Sequence, residues 1–253
     1  LVQSAVGLVV FVGLAWSLSE GHRRLDWKLV VVGLSVQIGL AMIMLWVPFV
    51  QDFFRLLNEG VSAIAQATAA GTQFVFGYLG ADPDPVANPY PYEVKNPGST
   101  FILAFRVLPL ILFFTVLSAL LWYLRIVPLI VKVFARVLEK SLGVGGAVGV
   151  STAANIFLGM VEAPILIKPY ISRLTRSELF VVMTCGMATV AGSVMVLYSV
   201  ILGAIVDNAL GHILTASVIS APAAIMVARI MISGDVRTAG EEHPDAIAYQ
   251  GLM

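Results

Sequence analysis

The chain has 253 residues, of which 59% are hydrophobic and only 12% are charged, and its mean hydropathy is +0.94. Soluble domains have about 45–50% apolar and about 25% charged residues, so this composition excludes an ordinary soluble domain and predicts a polytopic helical membrane protein. The 15 basic and 15 acidic residues balance, so no bulk attraction to nucleic acid is expected, and the single Cys185 excludes an internal disulfide.

Apolar runs long enough to cross a bilayer core of about 30 Å recur along the chain. They predict about five spanning helices, over residues 2–18, 29–50, 101–124, 174–206 and 213–232. Two further segments, 52–80 and 125–142, alternate apolar and charged residues at helical spacing. This pattern predicts amphipathic helices that lie on the membrane or against other helices. Between residues 80 and 99, many Pro, Asp, Asn and Gly residues predict an exposed loop.

Residues 143–170 are rich in Gly, Ala and Ser and contain no long apolar run. Within them lie Asn155, Gly159, Glu162 and Pro164. We predict two short helical arms with a break between them, which together form a re-entrant hairpin. Broken backbone at membrane depth is tolerated only where protein buries it or where it lines a wet cavity. Pro164 suits the first position of the second arm, which would place Glu162 at the positive end of that arm.

Charge placement supports the re-entrant interpretation. Clusters of Lys and Arg follow the first and third predicted spans, flank the exit of the hairpin and end the last span. If the hairpin enters and leaves by one face, almost all of these clusters lie in the cytoplasm and the amino terminus lies outside, as the positive-inside rule requires. A hairpin that crossed the membrane completely would break this pattern.

Polar groups in the hairpin are the candidate functional residues. An acid inside a membrane protein is by default a functional-site hypothesis, although Glu162 also fits a solvated loop acid. Asn155 fits either a ligand or a satisfied hydrogen bond between helices. Thr189 and Ser193 are spaced i, i+4 in the predicted fourth span, where they would share one face and pack between helices. No catalytic triad, HExxH, Walker or dinucleotide motif is present, so an enzyme is not expected.

Three stretches of the sequence carry a family pattern, namely Phe101-Ile-Leu-Ala-Phe-Arg-Val-Leu-Pro109, Ala153-Ala-Asn-Ile-Phe-Leu-Gly-Met-Val-Glu-Ala-Pro164 with Lys168-Pro-Tyr170, and Thr175-Arg-Ser-Glu-Leu-Phe180 running into Met187-Ala-Thr-Val-Ala-Gly-Ser193. In these stretches the sequence resembles the concentrative nucleoside transporters, and the resemblance covers residues 1–233 in order. Such proteins are homotrimeric sodium- or proton-coupled nucleoside symporters of the cytoplasmic membrane, and they work by alternating access. The resemblance therefore implies symport of nucleosides across the inner membrane by the first half of an inverted-repeat transporter.

The resemblance also implies the role of individual residues. Its ion ligands correspond to the side chain of Asn155, the carbonyl of Leu158, the hydroxyl of Thr189 and the carbonyl of Val190. Its segment that faces the nucleobase corresponds to Gly159, Met160, Val161 and Glu162, and a further apolar contact to the base corresponds to Val194. Sodium is the favoured coupling ion, because neutral oxygen donors suit a hard cation. Glu162 could instead carry a proton.

Two departures from the family pattern limit these expectations. Met160-Val161 stands where many relatives have Gln-Thr, so base preference cannot be transferred. The family's second hairpin is not found within these 253 residues. We therefore expect scaffold spans over 1–140, half of a transport domain over 141–233 and a linker over 234–253, without transport by this half alone. The alternative is a non-transporting membrane protein that uses a related domain for assembly or gating.

Overall fold

A computed structural model of the chain describes residues 2–20, 26–80, 93, 95, 100, 102–160, 162–203, 205–206 and 208–234. Over these ranges the chain forms helices and no strand, which confirms the all-α class. The α-helices are α1 (Val2–Ser17), α2 (Trp27–Trp46), α3 (Pro48–Phe76), α4 (Leu103–Arg106), α5 (Leu108–Tyr123), α6 (Ile126–Leu142), α7 (Gly146–Asn155), α8 (Glu162–Leu166), α9 (Arg176–Ala188), α10 (Gly192–Leu202) and α11 (Ala209–Met231), with short 3₁₀ turns at Gly77–Leu79 and Lys168–Arg173.

The chain folds into two compact units, each built from separate parts of the sequence. The first unit contains Leu1–Val47, Leu124–Gly192 and Leu214–Met253, and the second contains Pro48–Tyr123 and Ser193–Ile213. The domain boundaries that we predict from the sequence, at residues 140 and 233, divide the chain into three consecutive segments. These boundaries remain predictions. The segment of the predicted hairpin belongs to the first unit, and so do all four residues that the resemblance implies as ion ligands, Asn155, Leu158, Thr189 and Val190.

In the first unit, α2 packs against the last part of α11. Leu29 and Val30 from α2 form one cluster with Met226 and Ile230 from α11. Gly33 allows this close approach, because a Cβ at its position would lie 3.0 Å from the sulfur of Met226. Away from this contact, α2 exposes large apolar side chains, as expected for a surface that faces lipid.

Also in the first unit, the amphipathic α6 packs against α7. The buried residues of α6 follow helical spacing, namely Pro128, Val131, Ala135, Leu138 and Leu142. All ten residues of α7 are buried. A Cβ at Gly149 would lie 3.3 Å from the carbonyl oxygen of Ala135, so the small residues of α7 let the two helices approach closely. The predicted amphipathic helix is therefore present, and its apolar stripe covers α7, the first arm of the predicted hairpin.

In the second unit, α3 packs on α5. Val61 and Ile64 of α3 lie against Leu110 and Phe114 of α5, and Val196 of α10 joins the same cluster. The amphipathic segment predicted over 52–80 is thus a helix of 29 residues that uses its apolar face for packing.

Three helical segments in the described part of the chain are long and apolar enough to cross a membrane. They are Trp27–Trp46, Leu103–Tyr123 and Ala209–Met231, and α1 is a shorter apolar helix. The predicted span over 174–206 is wrong as one helix, because it consists of α9 and α10 with a break between them. At the break Thr189 is extended, with φ −108° and ψ 160°. The amide of Gly192 donates to the carbonyl of Phe157 at 3.0 Å instead of continuing the helical ladder.

Candidate functional site: two facing helix breaks

The first break separates the two arms of the predicted hairpin. Helix α7 ends at Asn155, and the amides of Phe157 and Leu158 both donate to the carbonyl of Ala154, at 3.0 and 2.8 Å. Helix α8 then begins at Glu162. Pro164 is therefore the third residue of the second arm and not its first, which corrects the sequence prediction. The position is allowed because the first amides of a helix have no partner within it, so proline removes no hydrogen bond there.

Glu162 closes the turn between the arms. Its Oε2 atom accepts a hydrogen bond from the amide of Gly159 at 3.2 Å, and its own amide donates to the carbonyl of Gly159 at 3.1 Å. The carboxylate lies in the first turn of α8, where the positive end of the helix stabilises negative charge. The side chain of Glu162 is exposed in this chain, so a surface role and a ligand role are both compatible with its position.

The second break lies between α9 and α10, and it faces the first. The Thr189 hydroxyl is 3.1 Å from the carbonyl of Asn155 and 3.1 Å from the carbonyl of Cys185, so it can donate to either. The Gly192–Phe157 hydrogen bond joins the same two breaks. On the far side of the second break, the amide of Val190 donates to the hydroxyl of Ser217 on α11 at 3.4 Å. Interrupted backbone from two parts of the chain thus meets at one place.

Asn155 is the most unusual side chain at this place. It is fully buried, and neither Oδ1 nor Nδ2 has a hydrogen-bond partner among the residues that the structure describes. A satisfied hydrogen bond between helices, the alternative reading of Asn155, is therefore not found in that part of the chain. Leaving a buried polar group unpaired costs about 1–3 kcal/mol. Such a group is expected where a ligand supplies the missing partner.

Four of the residues implied by the family resemblance lie at the two facing breaks. Asn155 and Leu158 lie at the first, and Thr189 and Val190 lie at the second. Their amide, hydroxyl and carbonyl oxygens are neutral hard donors, which fit an alkali cation. The described residues contain no group of three or more His, Cys, Asp or Glu side chains that could hold a metal ion, so a transition-metal centre is not indicated there.

The residues implied for nucleobase contact are distributed more widely. Gly159 and Glu162 lie where α7 gives way to α8, and Met160 beside them is 63% exposed. Val161 lies outside the described residues. Val194 lies near the start of α10 in the second compact unit and is 36% exposed. Thr189 and Ser193 do not lie in one continuous helix as predicted, because the break comes between them.

Several polar and small residues at this place were not identified from the sequence. The hydroxyls of Ser151 and Thr152 on α7 are buried; the Ser151 hydroxyl lacks a hydrogen-bond partner among the described residues, whereas the Thr152 hydroxyl pairs with the thiol of Cys185. Gly186 makes room beside Asn155, because a Cβ there would lie 3.6 Å from Asn155 Nδ2 and 3.3 Å from Met160 Cβ. The available signal was the run Ser151-Thr152 followed by Asn155, which puts three polar side chains on a helix of small residues.

Comparison with known protein families gives two consecutive matches. A family model described as "Na+ dependent nucleoside transporter N-terminus" matches residues 6–79. A second, described as "Nucleoside recognition", matches residues 104–205. The second match contains both helix breaks.

Curated relatives match almost the whole chain. An uncharacterized transporter from Haemophilus influenzae is 37% identical over 231 residues, which is 91% of this chain and 51% of the relative. The nucleoside permease NupC of Helicobacter pylori is 34% identical over 251 residues, which is 96% of this chain and 56% of the relative. Sodium/nucleoside cotransporter 1 of Rattus norvegicus is 33% identical over 232 residues, which is 90% of this chain and 32% of the relative. The chain spans about half the length of the bacterial relatives.

Solved structures agree with these matches. The structure of CNTnw in an inward-facing substrate-bound state superposes with a TM-score of 0.80 at 32% identity, and the match covers 99% of this chain and 59% of that one. A CNTnw variant in an outward-facing state matches with a TM-score of 0.79 at 31% identity. The fold described above is therefore the fold of the corresponding part of these transporters.

Proposed function

This chain belongs to the concentrative nucleoside transporter family as an amino-terminal half, and on that premise we propose that it forms part of a sodium-coupled nucleoside symporter. The observation that carries the proposal is the buried Asn155 amide, which lies unpaired where two helix breaks meet. Half-helices that present their ends and free carbonyls to a cavity are the recurring design of ion and substrate sites in secondary transporters. The relatives that are a nucleoside permease and a sodium/nucleoside cotransporter by name support the same activity.

We assign the two kinds of ligand to different parts of this site. Sodium binds to the side chain of Asn155, the hydroxyl of Thr189 and the carbonyls of Leu158 and Val190. The nucleobase lies against Gly159, Met160, Val161 and Glu162, with Val194 as a further apolar contact. The transport mechanism in this proposal is alternating access, in which one repeat or bundle moves around a fixed site, as in other secondary transporters.

The cellular setting follows from the same premise. The protein is a multi-pass protein of the inner membrane with its amino terminus outside, and the full-length protein is a homotrimer. The apolar outer face of α2 and the three span-length helices support the membrane location. The positive-inside distribution of Lys and Arg supports the orientation.

Uptake by the full-length protein that carries this sequence tests the proposal. In proteoliposomes, a sodium gradient should drive nucleoside uptake, and Asn155→Ala should raise the sodium concentration for half-maximal uptake by about tenfold or more, since lost metal-site partners cost about 10–100-fold. Asn58→Ala removes an amide on α3, outside both breaks, and should leave sodium dependence unchanged. Glu162→Gln should reduce uptake at saturating sodium.

The results that would contradict the proposal are equally specific. If Asn155→Ala and Glu162→Gln both transport like the native protein, the site assignment is wrong. If uptake proceeds without sodium and follows a proton gradient instead, the coupling ion is wrong while nucleoside transport stands. If no nucleoside is taken up under either gradient, the symporter proposal fails.

A further inference from the structure

A polar cavity lies at one end of the helix pair α2 and α11, and none of its lining residues belongs to the two helix breaks. Its volume is about 540 Å³, within the range of about 300–1,000 Å³ in which proteins bind small ligands. Three cationic side chains from three different helices line it, namely Lys28 of α2, Lys140 of α6 and Arg229 of α11. One acid, Asp26, also lines it. The lining therefore carries a net positive charge.

The partners of these groups leave the lysines available. Arg229 donates from Nη1 to the carbonyl of Leu142, which fixes the guanidinium at the cavity wall. Asp26 Oδ1 accepts from the amides of Lys28 and Leu29, so this carboxylate caps the start of α2. Both lysines are exposed, and within the described part of the chain neither ammonium group has an ion-pair or hydrogen-bond partner.

The position of the cavity identifies the level of the membrane at which it lies. The cavity is lined by the first turn of α2 and the last turn of α11, and both helices are long and apolar enough to span a membrane. Leu29 and Val30 pack on Met226 and Ile230, so these two ends lie side by side at one end of the pair. Spanning helices leave the hydrocarbon at their ends, where lipid headgroups lie.

Next to the cavity, α2 offers an apolar surface for acyl chains. Trp27 is 69% exposed beside Lys28, and tryptophan favours the headgroup level of a membrane. One turn further along α2, Val31 is 59% exposed. A ligand with an anionic head and apolar tails would match both surfaces at once, because basic pockets between membrane helices bind phosphate headgroups.

We propose that this cavity binds the phosphate headgroup of an anionic phospholipid such as phosphatidylglycerol, through Lys28, Lys140 and Arg229. The acyl chains then lie along the exposed apolar side of α2. This site is separate from the ion and nucleobase site, and it does not depend on the transport activity. Lipid bound there would link α2, α6 and α11 at one membrane surface.

Binding of a fluorescent phosphatidylglycerol to the purified full-length protein in phosphatidylcholine nanodiscs tests the proposal. The double variant Lys28→Gln/Lys140→Gln should bind about 30-fold more weakly, as expected for two membrane-surface cations. The control Arg55→Gln/Lys168→Gln removes two exposed cations outside the cavity and should bind like the native protein. Equal loss in both double variants would show that only overall charge matters and would overturn the proposal.

Two further arms keep the test decisive. Asp26→Asn keeps a residue that caps helices well but removes the one acid of the cavity, so it should bind phosphatidylglycerol about fivefold more tightly. This variant answers the question if the double lysine variant does not fold. Unchanged or weaker binding by Asp26→Asn would contradict the proposal. Inorganic phosphate should not displace the lipid at millimolar concentration, and displacement would show a site for soluble phosphate instead.

Discussion

Asn155 brings an amide oxygen and an amide nitrogen into the protein interior, and the described residues satisfy neither. A cation can satisfy only the oxygen, so the nitrogen needs an acceptor from a substrate, a water or another part of the protein. Gly186 has no side chain, and this keeps one side of Asn155 open, because a Cβ at Gly186 would lie 3.6 Å from the amide nitrogen. A complete site around Asn155 therefore needs at least two partners, a cation or hydrogen-bond donor for the amide oxygen and a hydrogen-bond acceptor for the amide nitrogen.

The presence of polar residues in the hairpin could be predicted from the sequence, but their partners could not. An asparagine and a glutamate in an apolar chain stand out because their burial is costly. Whether Asn155 finds a hydrogen bond depends on the side chains that surround it, and those come from α9 and the second break. The burial of Ser151 and Thr152 was missed for the same reason, since small hydroxyl residues are also common on solvated helices.

Met160 gives a prediction about selectivity at the residue scale. Its side chain is 63% exposed beside Gly159 and Glu162, so it can contact a ligand but cannot recognise the polar edge of a base. Met160→Gln in the full-length protein should narrow the range of nucleosides, because a bound base covers the new amide and a base that cannot pair with it is rejected. Competition of a panel of nucleosides against labelled uridine uptake measures this range. The control Met183→Gln makes the same change at an exposed position of α9 and should leave the range unchanged. An unchanged range in Met160→Gln would place this residue outside the base site.

At the scale of elements, most helices could be predicted because hydropathy and amphipathic spacing depend on the local sequence alone. Thr175 and Glu178 form a capping box at the start of α9 with both of its hydrogen bonds, and their spacing of three residues is visible in the sequence. The break within 174–206 could not be predicted. It exists because Gly192 donates to Phe157, and this contact joins residues 35 positions apart in the sequence. Without it, an apolar run of this length favours one continuous helix.

Gly192 provides a test of how firmly the two breaks are joined. A Cβ at Gly192 would lie 2.6 Å from the carbonyl oxygen of Phe157, a backbone atom that cannot move without shifting the hairpin. We expect Gly192→Ala to destabilise the protein by about 1–3 kcal/mol, the usual cost of overpacking. Thermal unfolding in detergent measures the effect. Gly39→Ala on α2 is the control, because nothing lies within 4 Å of the added Cβ, and it should cause no loss. If the two variants unfold alike, the breaks are not rigidly joined.

At the scale of the whole molecule, the orientation in the membrane depends on whether the hairpin returns to the face that it left. Lys140 precedes the hairpin, Lys168 follows it, and Lys95 lies after the second predicted span; all three are exposed. A re-entrant hairpin with the amino terminus outside places Lys140 and Lys168 in the cytoplasm and Lys95 outside. A hairpin that crossed the membrane would instead move Lys168 to the outer face.

Labelling of single cysteines in intact cells distinguishes these arrangements. In a full-length background without native cysteines, Cys185→Ala among the changes, a membrane-impermeant maleimide should label Lys95→Cys but neither Lys140→Cys nor Lys168→Cys. Each variant removes one lysine, so the three are matched in charge, and permeabilised cells should label all of them. Labelling of Lys168→Cys in intact cells, with Lys140→Cys protected, would show that the hairpin crosses the membrane. Both breaks would then have to be reached from the opposite face, and the assignment of Asn155 and Glu162 to one shared site would need a different entry route.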